Sequence, residues 1–128
     1  MNSFEELDVW KKGRDLRMFV FHLSKNVSPR GRYGLSSQIK ISSRSITNNI
    51  AEGLGRFHFQ ENIQFCRQAR GSLTETLDHI IIAYDEQIVS ENVLMEFRIL
   101  YESCLKLLNG YIAYLVKAKA NRGKPNNQ

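Results

Sequence analysis

Apolar residues recur along this chain at intervals of three and four, the spacing that places side chains on one face of an α-helix. They do so in four successive blocks, and no stretch alternates apolar and polar as a half-buried strand would. The first block, about residues 4–26, carries Val9, Gly13, Leu16, Val20, Leu23 and Val27 in a bundle-type seam. Trp10, Met18, Phe19 and Phe21 fall outside that seam, so a neighbouring helix or a second subunit has to cover them. Pro29, Gly31 and Gly34 then mark a loop that holds Arg30 and Arg32. The second block, about residues 34–52, has Leu35, Ile39, Ser42, Ile46 and Asn49 with Ile50 along its seam, and Gly53 and Gly55 supply its stop.

The third block, about residues 60–86, is lined on one side by Phe59, Ile63, Cys66, Leu73, Leu77, Ile80 and Tyr84. Gly71 and Ser72 stand in its middle. A mid-helix glycine costs about 1 kcal/mol against alanine, so close backbone contact with the small residues of the second block is the expected return. The fourth block, about residues 90–119, opens on Ser90 and Asn92 as N-cap candidates and carries Val93, Phe97, Leu100, Cys104, Leu107, Tyr111 and Leu115. Short connections between long helices make neighbours antiparallel. The expected fold is therefore all-α, an antiparallel up-and-down four-helix bundle over residues 1–119, with 120–128 as a disordered tail.

Polar residues beside the apolar stripes change the picture around residues 44–56, RSITNNIAEGLGR. Buried polar groups left unpaired cost roughly 1–3 kcal/mol each, so the Asn, Glu and Arg side chains of this segment, Arg44, Asn49, Glu52 and Arg56, are expected to form a polar network between helices. Charge adds a second theme. Of 128 residues, 18 are Lys or Arg and 13 are Asp or Glu, but they are unevenly spread. Residues 1–72 hold 12 basic and 6 acidic residues, residues 73–104 hold 1 and 7, and residues 105–128 hold 5 and none. Such a dipolar chain can meet copies of itself or an anionic polymer. Lys11, Lys12, Arg14, Arg17, Arg30, Arg32, Lys40, Arg44, Arg67 and Arg70 are the candidate phosphate contacts, with affinity expected to fall steeply with salt. Trp10 and Phe21 read as packing residues, which argues against base stacking.

Catalytic patterns are weak. Di-iron bundles need Glu-x-x-His on two helices, and the nearest fragment is Glu75 with His79, four apart, with no second copy. No metal or other cofactor is expected. Arg17 and His22 match the spacing of some helical nucleases, in which His is the acid/base and Arg steadies phosphate charge, but Met18 stands where a polar residue is usual. Cys66 and Cys104 lie on packed seams, reading as reduced thiols, which points to the cytoplasm. No apolar run reaches the ~18 residues needed to cross a bilayer.

Three segments carry a family resemblance: Phe4, Leu7, Val9 and Trp10; then Tyr33-Gly34-Leu35, Gln38-Ile39, Ser45-Ile46 and Asn49-Ile50-Ala51-Glu52-Gly53 with Gly55-Arg56; then Ala69-Arg70-Gly71-Ser72-Leu73 with Glu75. Over about residues 4–116 the chain resembles the small bacterial four-helix bundle proteins first noticed in intervening sequences of 23S ribosomal RNA genes. It departs from them at Thr47, where proline is common, and at Lys40-Ile41, where paired arginines are common. Arg44, Asn49, Glu52, Arg56, Ser72 and Glu75 match the family motif and are read together as one structural polar network. The resemblance implies ring-shaped homopentamers with a basic surface. A related branch, the accessory proteins of diversity-generating retroelements, binds a reverse transcriptase and nucleic acid, whereas the branch resembled here has no established activity. The combined expectation is a non-enzymatic homo-oligomeric scaffold, a pentamer by resemblance. It has RNA or DNA and a reverse transcriptase as candidate partners. A ribonuclease using Arg17 and His22, or a purely structural assembly, is the alternative.

Overall fold

The computed structural model describes residues 3–27 and 34–122. A single 3-10 turn at Phe4–Glu6 leads into α1 (Asp8–Ser24), α2 (Leu35–Leu54), α3 (Phe59–Asp85) and α4 (Glu91–Arg122). Each helix packs against its two neighbours and not across the diagonal, which closes the four into a bundle. Contacts fix the directions. Gly13 lies under Thr47 while Ser36 Oγ, twelve residues on from Ser24, donates to the Ser24 carbonyl. Ser45 meets Ser72 and Ser42 meets Thr76. Arg70 meets Asn109 and Asn62 meets Tyr111. In every pair the residue number falls on one helix as it rises on the other, so neighbours run antiparallel.

The core is the set of faces the spacing picks out. Val9, Leu16 and Val20 of α1, Ile39, Ile46 and Ile50 of α2, and Ile63, Cys66, Leu73 and Ile80 of α3 are all buried. In α4 the buried line is Leu94, Phe97, Cys104, Leu108, Ile112 and Leu115. Val93, Leu100, Leu107 and Tyr111, placed in the seam by the heptad reading, are only half-buried. A helix apolar on several sides offers more than one register, and packing against α1 and α3 selects it. Asn62, Ala69, Thr76 and Ala83 are further buried positions of α3 that the apolar pattern passes over.

Two glycine assignments change. Gly53 does not stop α2, which runs on to Leu54. It is buried inside the helix, where an added Cβ would lie 2.5 Å from Asn62 Oδ1 and 3.0 Å from Phe65 Cβ. Gly71 does not make the expected close contact, since a Cβ there meets nothing within 4 Å. It points outward, two positions from buried Leu73, and two residues correspond to about 200° around a helix. The close approach falls instead on Gly13, where an added Cβ would lie 3.1 Å from Thr47 Cγ2, and on Gly53. Thr47, in the place of the expected proline, continues α2 without a break and donates to the Arg44 carbonyl at 3.2 Å.

Helix ends follow local chemistry. Ser90 Oγ accepts from the Val93 amide at 3.3 Å and caps α4 as anticipated. At the end of α3, Ile88 N donates to the Ala83 carbonyl and Gln87 N to the Tyr84 carbonyl, the Schellman arrangement, with Gln87 at φ 62°. Helix α4 continues through Asn121 and Arg122. The remainder of the expected tail, 123–128, and the loop with Pro29, Arg30, Gly31 and Arg32 lie outside the described residues.

Candidate nucleic-acid interface

Three of the predicted cations converge. Arg17 of α1 faces Lys40 and Arg44 of α2 across a groove of about 330 Å³, completed by Met18, Phe21 and Ser43. Arg17 and Arg44 also border the next hollow along the same seam, with Phe4, Trp10, Asn48 and Ala51. A third, bordered by Glu52, Gly55 and Arg56, continues toward the end of α2. Residues three or four apart on α2 share a face, so the seam exposes one continuous furrow. Its first two parts have no carboxylate in their lining. Among the described residues, the side chains of Arg17, Lys40 and Arg44 make no ion pair, and Arg17 Nε is buried without a hydrogen-bond partner. Three like charges gathered without a counter-charge produce a local positive potential that an anion relieves.

The other candidates are dispersed around this furrow. Lys11 and Arg14 are exposed on α1, Arg14 lying 5.3 Å from the Trp10 ring centroid, and Lys12 reaches Asp15 at 3.9 Å. Arg67 is exposed on α3, and Arg70 donates to Asn109 Oδ1 of α4 at 2.9 Å. That bond turns Arg70 toward α4, and neither Arg67 nor Arg70 lines the furrow between α1 and α2. Arg30 and Arg32 lie outside the described residues.

The six residues expected to form one polar network are divided by the structure. Asn49 and Ser72 do join helices: Asn49 Nδ2 donates to the Ser45 carbonyl and hydroxyl at 2.8 and 3.0 Å, and Ser45 Oγ lies 2.9 Å from Ser72 Oγ. Glu52 and Arg56 pair with one another at 2.8 Å on the surface, with Glu61 3.8 Å from Arg56. Arg44 and Glu75 are exposed. The reason is helical phase: long charged side chains reach water from the flank of a seam, and only short Ser, Thr and Asn fit where α2 and α3 are close. The buried link that the pattern does not reveal is Thr76, whose hydroxyl donates to Ser42 Oγ at 2.8 Å, with Ser42 donating on to the Ile39 carbonyl.

Other chemistry finds little geometry. Arg17 faces α2 while His22 is exposed beside Phe21, and five residues put them about 140° apart around α1. Glu75 and His79 approach to 3.8 Å on one face, and no third metal ligand joins them among the described residues. Cys66 and Cys104 are free and buried, and burial pushes both thiols up to about 11. Among the described residues, no helix is long and apolar enough to cross a membrane.

Aromatic groups differ from expectation. Trp10 is half-buried against Phe4, but Phe21 is partly exposed at the groove mouth. Among the described residues the most exposed aromatics, Phe57 and Tyr114, are ones the apolar pattern leaves aside. The signal for Phe57 is its position between Arg56 and His58, just past a helix end, where an aromatic has no seam to fill.

Comparison with known proteins agrees with this architecture. None of the curated proteins matches the chain. Among solved structures, it is similar to a protein of unknown function from the S23 ribosomal protein family of Bacteroides thetaiotaomicron. The two share 21% identity and a TM-score of 0.74, over 81% of this chain and 97% of the other. At that identity the likeness speaks for the fold. The family model described as 23S rRNA-intervening sequence protein matches residues 5–110. That match spans most of the chain and reaches all four helices, and the chain belongs to the 23S rRNA-intervening sequence protein family.

Proposed function

We propose that this protein is a non-enzymatic, self-assembling four-helix scaffold that holds nucleic acid by its phosphates along the α1–α2 furrow. The observation that carries this reading is the convergence of Arg17, Lys40 and Arg44 with no carboxylate to neutralise them. Guanidinium and ammonium groups in that arrangement suit a repeating phosphate chain and carry no base preference. Self-assembly is supported by α4, where Met95 and Ile99, four apart, are exposed on one side. The family resemblance implies a ring of five, which would repeat the furrow and raise avidity without new contacts. Buried, unpaired thiols support a cytoplasmic location. A reverse transcriptase is the protein partner the resemblance suggests.

Binding of labelled RNA and DNA across a salt series tests the reading. The expected result is a linear fall of log affinity with log salt. A variant with Arg17→Gln, Lys40→Gln and Arg44→Gln is expected to flatten the slope by about 2–3, from about 0.7–0.9 per lost phosphate contact. Absence of binding at low salt would leave a purely structural assembly. RNA cleaved by the wild type and spared by His22→Ala would replace the scaffold with a ribonuclease.

A further inference from the structure

We infer that the end of the bundle formed by the α2–α3 connection and the last turns of α4 is a stacking platform for unpaired bases, so that the protein selects single-stranded over duplex nucleic acid. This rests on the nucleic-acid reading above but uses a different surface. Phe57 is 95% exposed in a connection of four residues, between Arg56 and His58. Tyr114 of α4 is 63% exposed, and its ring lies near-parallel to that of Tyr111, at 19° with centroids 6.3 Å apart. These rings border a hollow of about 190 Å³ with Phe59. Asn62 Nδ2 donates to the Tyr111 hydroxyl at 3.2 Å and so fixes the inner ring.

The surroundings are cationic. From Tyr111 to the last described residue, α4 carries Lys117, Lys119 and Arg122 and no carboxylate. Arg122 lies over the Phe59 ring at 5.9 Å, and Lys119 bonds to Gln60 of α3. The nearby carboxylates Glu52 and Glu61 are engaged by Arg56. Flat exposed rings among cations are the combination that binds single strands, since every base has a π-face and every nucleotide a phosphate. A duplex keeps those faces stacked inside. A second copy of the chain is a poorer occupant: with helices about 10–12 Å across, the end of a four-helix bundle offers roughly 400 Å². A stable interface takes about 800 Å² per partner.

The test measures anisotropy of three labelled probes at one low salt concentration: a single strand, its duplex, and an abasic strand of equal length. The wild type is expected to prefer the single strand to both others. Phe57→Ala and Tyr114→Ala, at exposed positions the fold does not need, are expected to weaken the single strand by about 5- to 150-fold, the fold equivalent of about 1–3 kcal/mol per stacked base. Duplex affinity should stay unchanged, and Phe57→Trp should preserve the preference. Equal affinity for all three probes, or no loss in the alanine variants, overturns the platform and leaves the furrow standing. A fall in assembly mass for Phe57→Ala by light scattering also overturns it, by making this end a contact between copies. No binding of any probe removes the nucleic-acid reading itself.

Discussion

Burial decides what Cys66 and Cys104 can do. A thiolate has to be solvated, and neither side chain reaches water, so both thiols are pushed up to about 11 from 9.0. Both therefore remain neutral and poorly nucleophilic near pH 7. The consequence for stability has a definite sign. Unfolding frees the thiols to ionise near 9, so the unfolded chain holds fewer protons between about pH 9 and 11, and stability falls as pH rises through that window. Each thiol contributes at most about 1.4 kcal/mol per pH unit. Tyr111, also pushed up by burial, adds to the loss at its alkaline end. Urea denaturation from pH 8 to 11 should show this decline, and a Cys66→Ala, Cys104→Ala variant, though less stable throughout, should show a shallower one. A pH-independent wild type between 9 and 11 would mean the thiols are hydrated in the folded state.

Two glycines in neighbouring helices have opposite meanings, although both sit in segments that carry the family resemblance. Gly53 lets α2 rest on α3, and a methyl group there would press on Asn62, the residue that also holds the Tyr111 hydroxyl and accepts from the Cys66 thiol. Gly53→Ala is expected to destabilise by about 1–3 kcal/mol, the usual cost of overpacking. Gly71 has open space around it, so Gly71→Ala should stabilise α3 by about 0.8–1.0 kcal/mol through helix propensity alone. Chemical denaturation of the two single variants measures both, and equal effects would contradict the assigned helix phases. Neither role is legible in the chain, because a glycine reports that a side chain is missing without reporting which direction is crowded.

At the scale of the molecule, apolar side chains left on the outside of α4 bear on assembly. Ile99 is 71% exposed, and Met95 one turn earlier is also exposed. A charge at this position costs the isolated bundle little and costs a subunit contact a great deal. Ile99→Glu is expected to keep the helical circular dichroism of the wild type and to lower its mass in light scattering at micromolar concentration. A wild type that is monomeric there removes the assembly and, with it, the avidity of a repeated furrow. The distribution of charge is set at this scale too. The α3–α4 turn gathers Asp85, Glu86 and Glu91 at one end, while the C-terminal turns of α4 place Lys117, Lys119 and Arg122 at the other. A separation recorded in the sequence as a run of signs becomes a polarity along the bundle axis.

The sequence alone determined the four helices, their antiparallel order and most of the buried faces, because a period of three and four residues is a local property and short connections permit few arrangements. The furrow was legible only in part. Arg17, Lys40 and Arg44 stand out as cations in the chain, yet their convergence depends on which flank of α1 meets which flank of α2. The structure alone decided that the six polar residues do not act as one unit, that Gly53 and not Gly71 marks the close approach, and that Phe57 and Tyr114 face water. Each depends on helix rotation, which is fixed by packing against partners far away in sequence and is therefore absent from any local pattern.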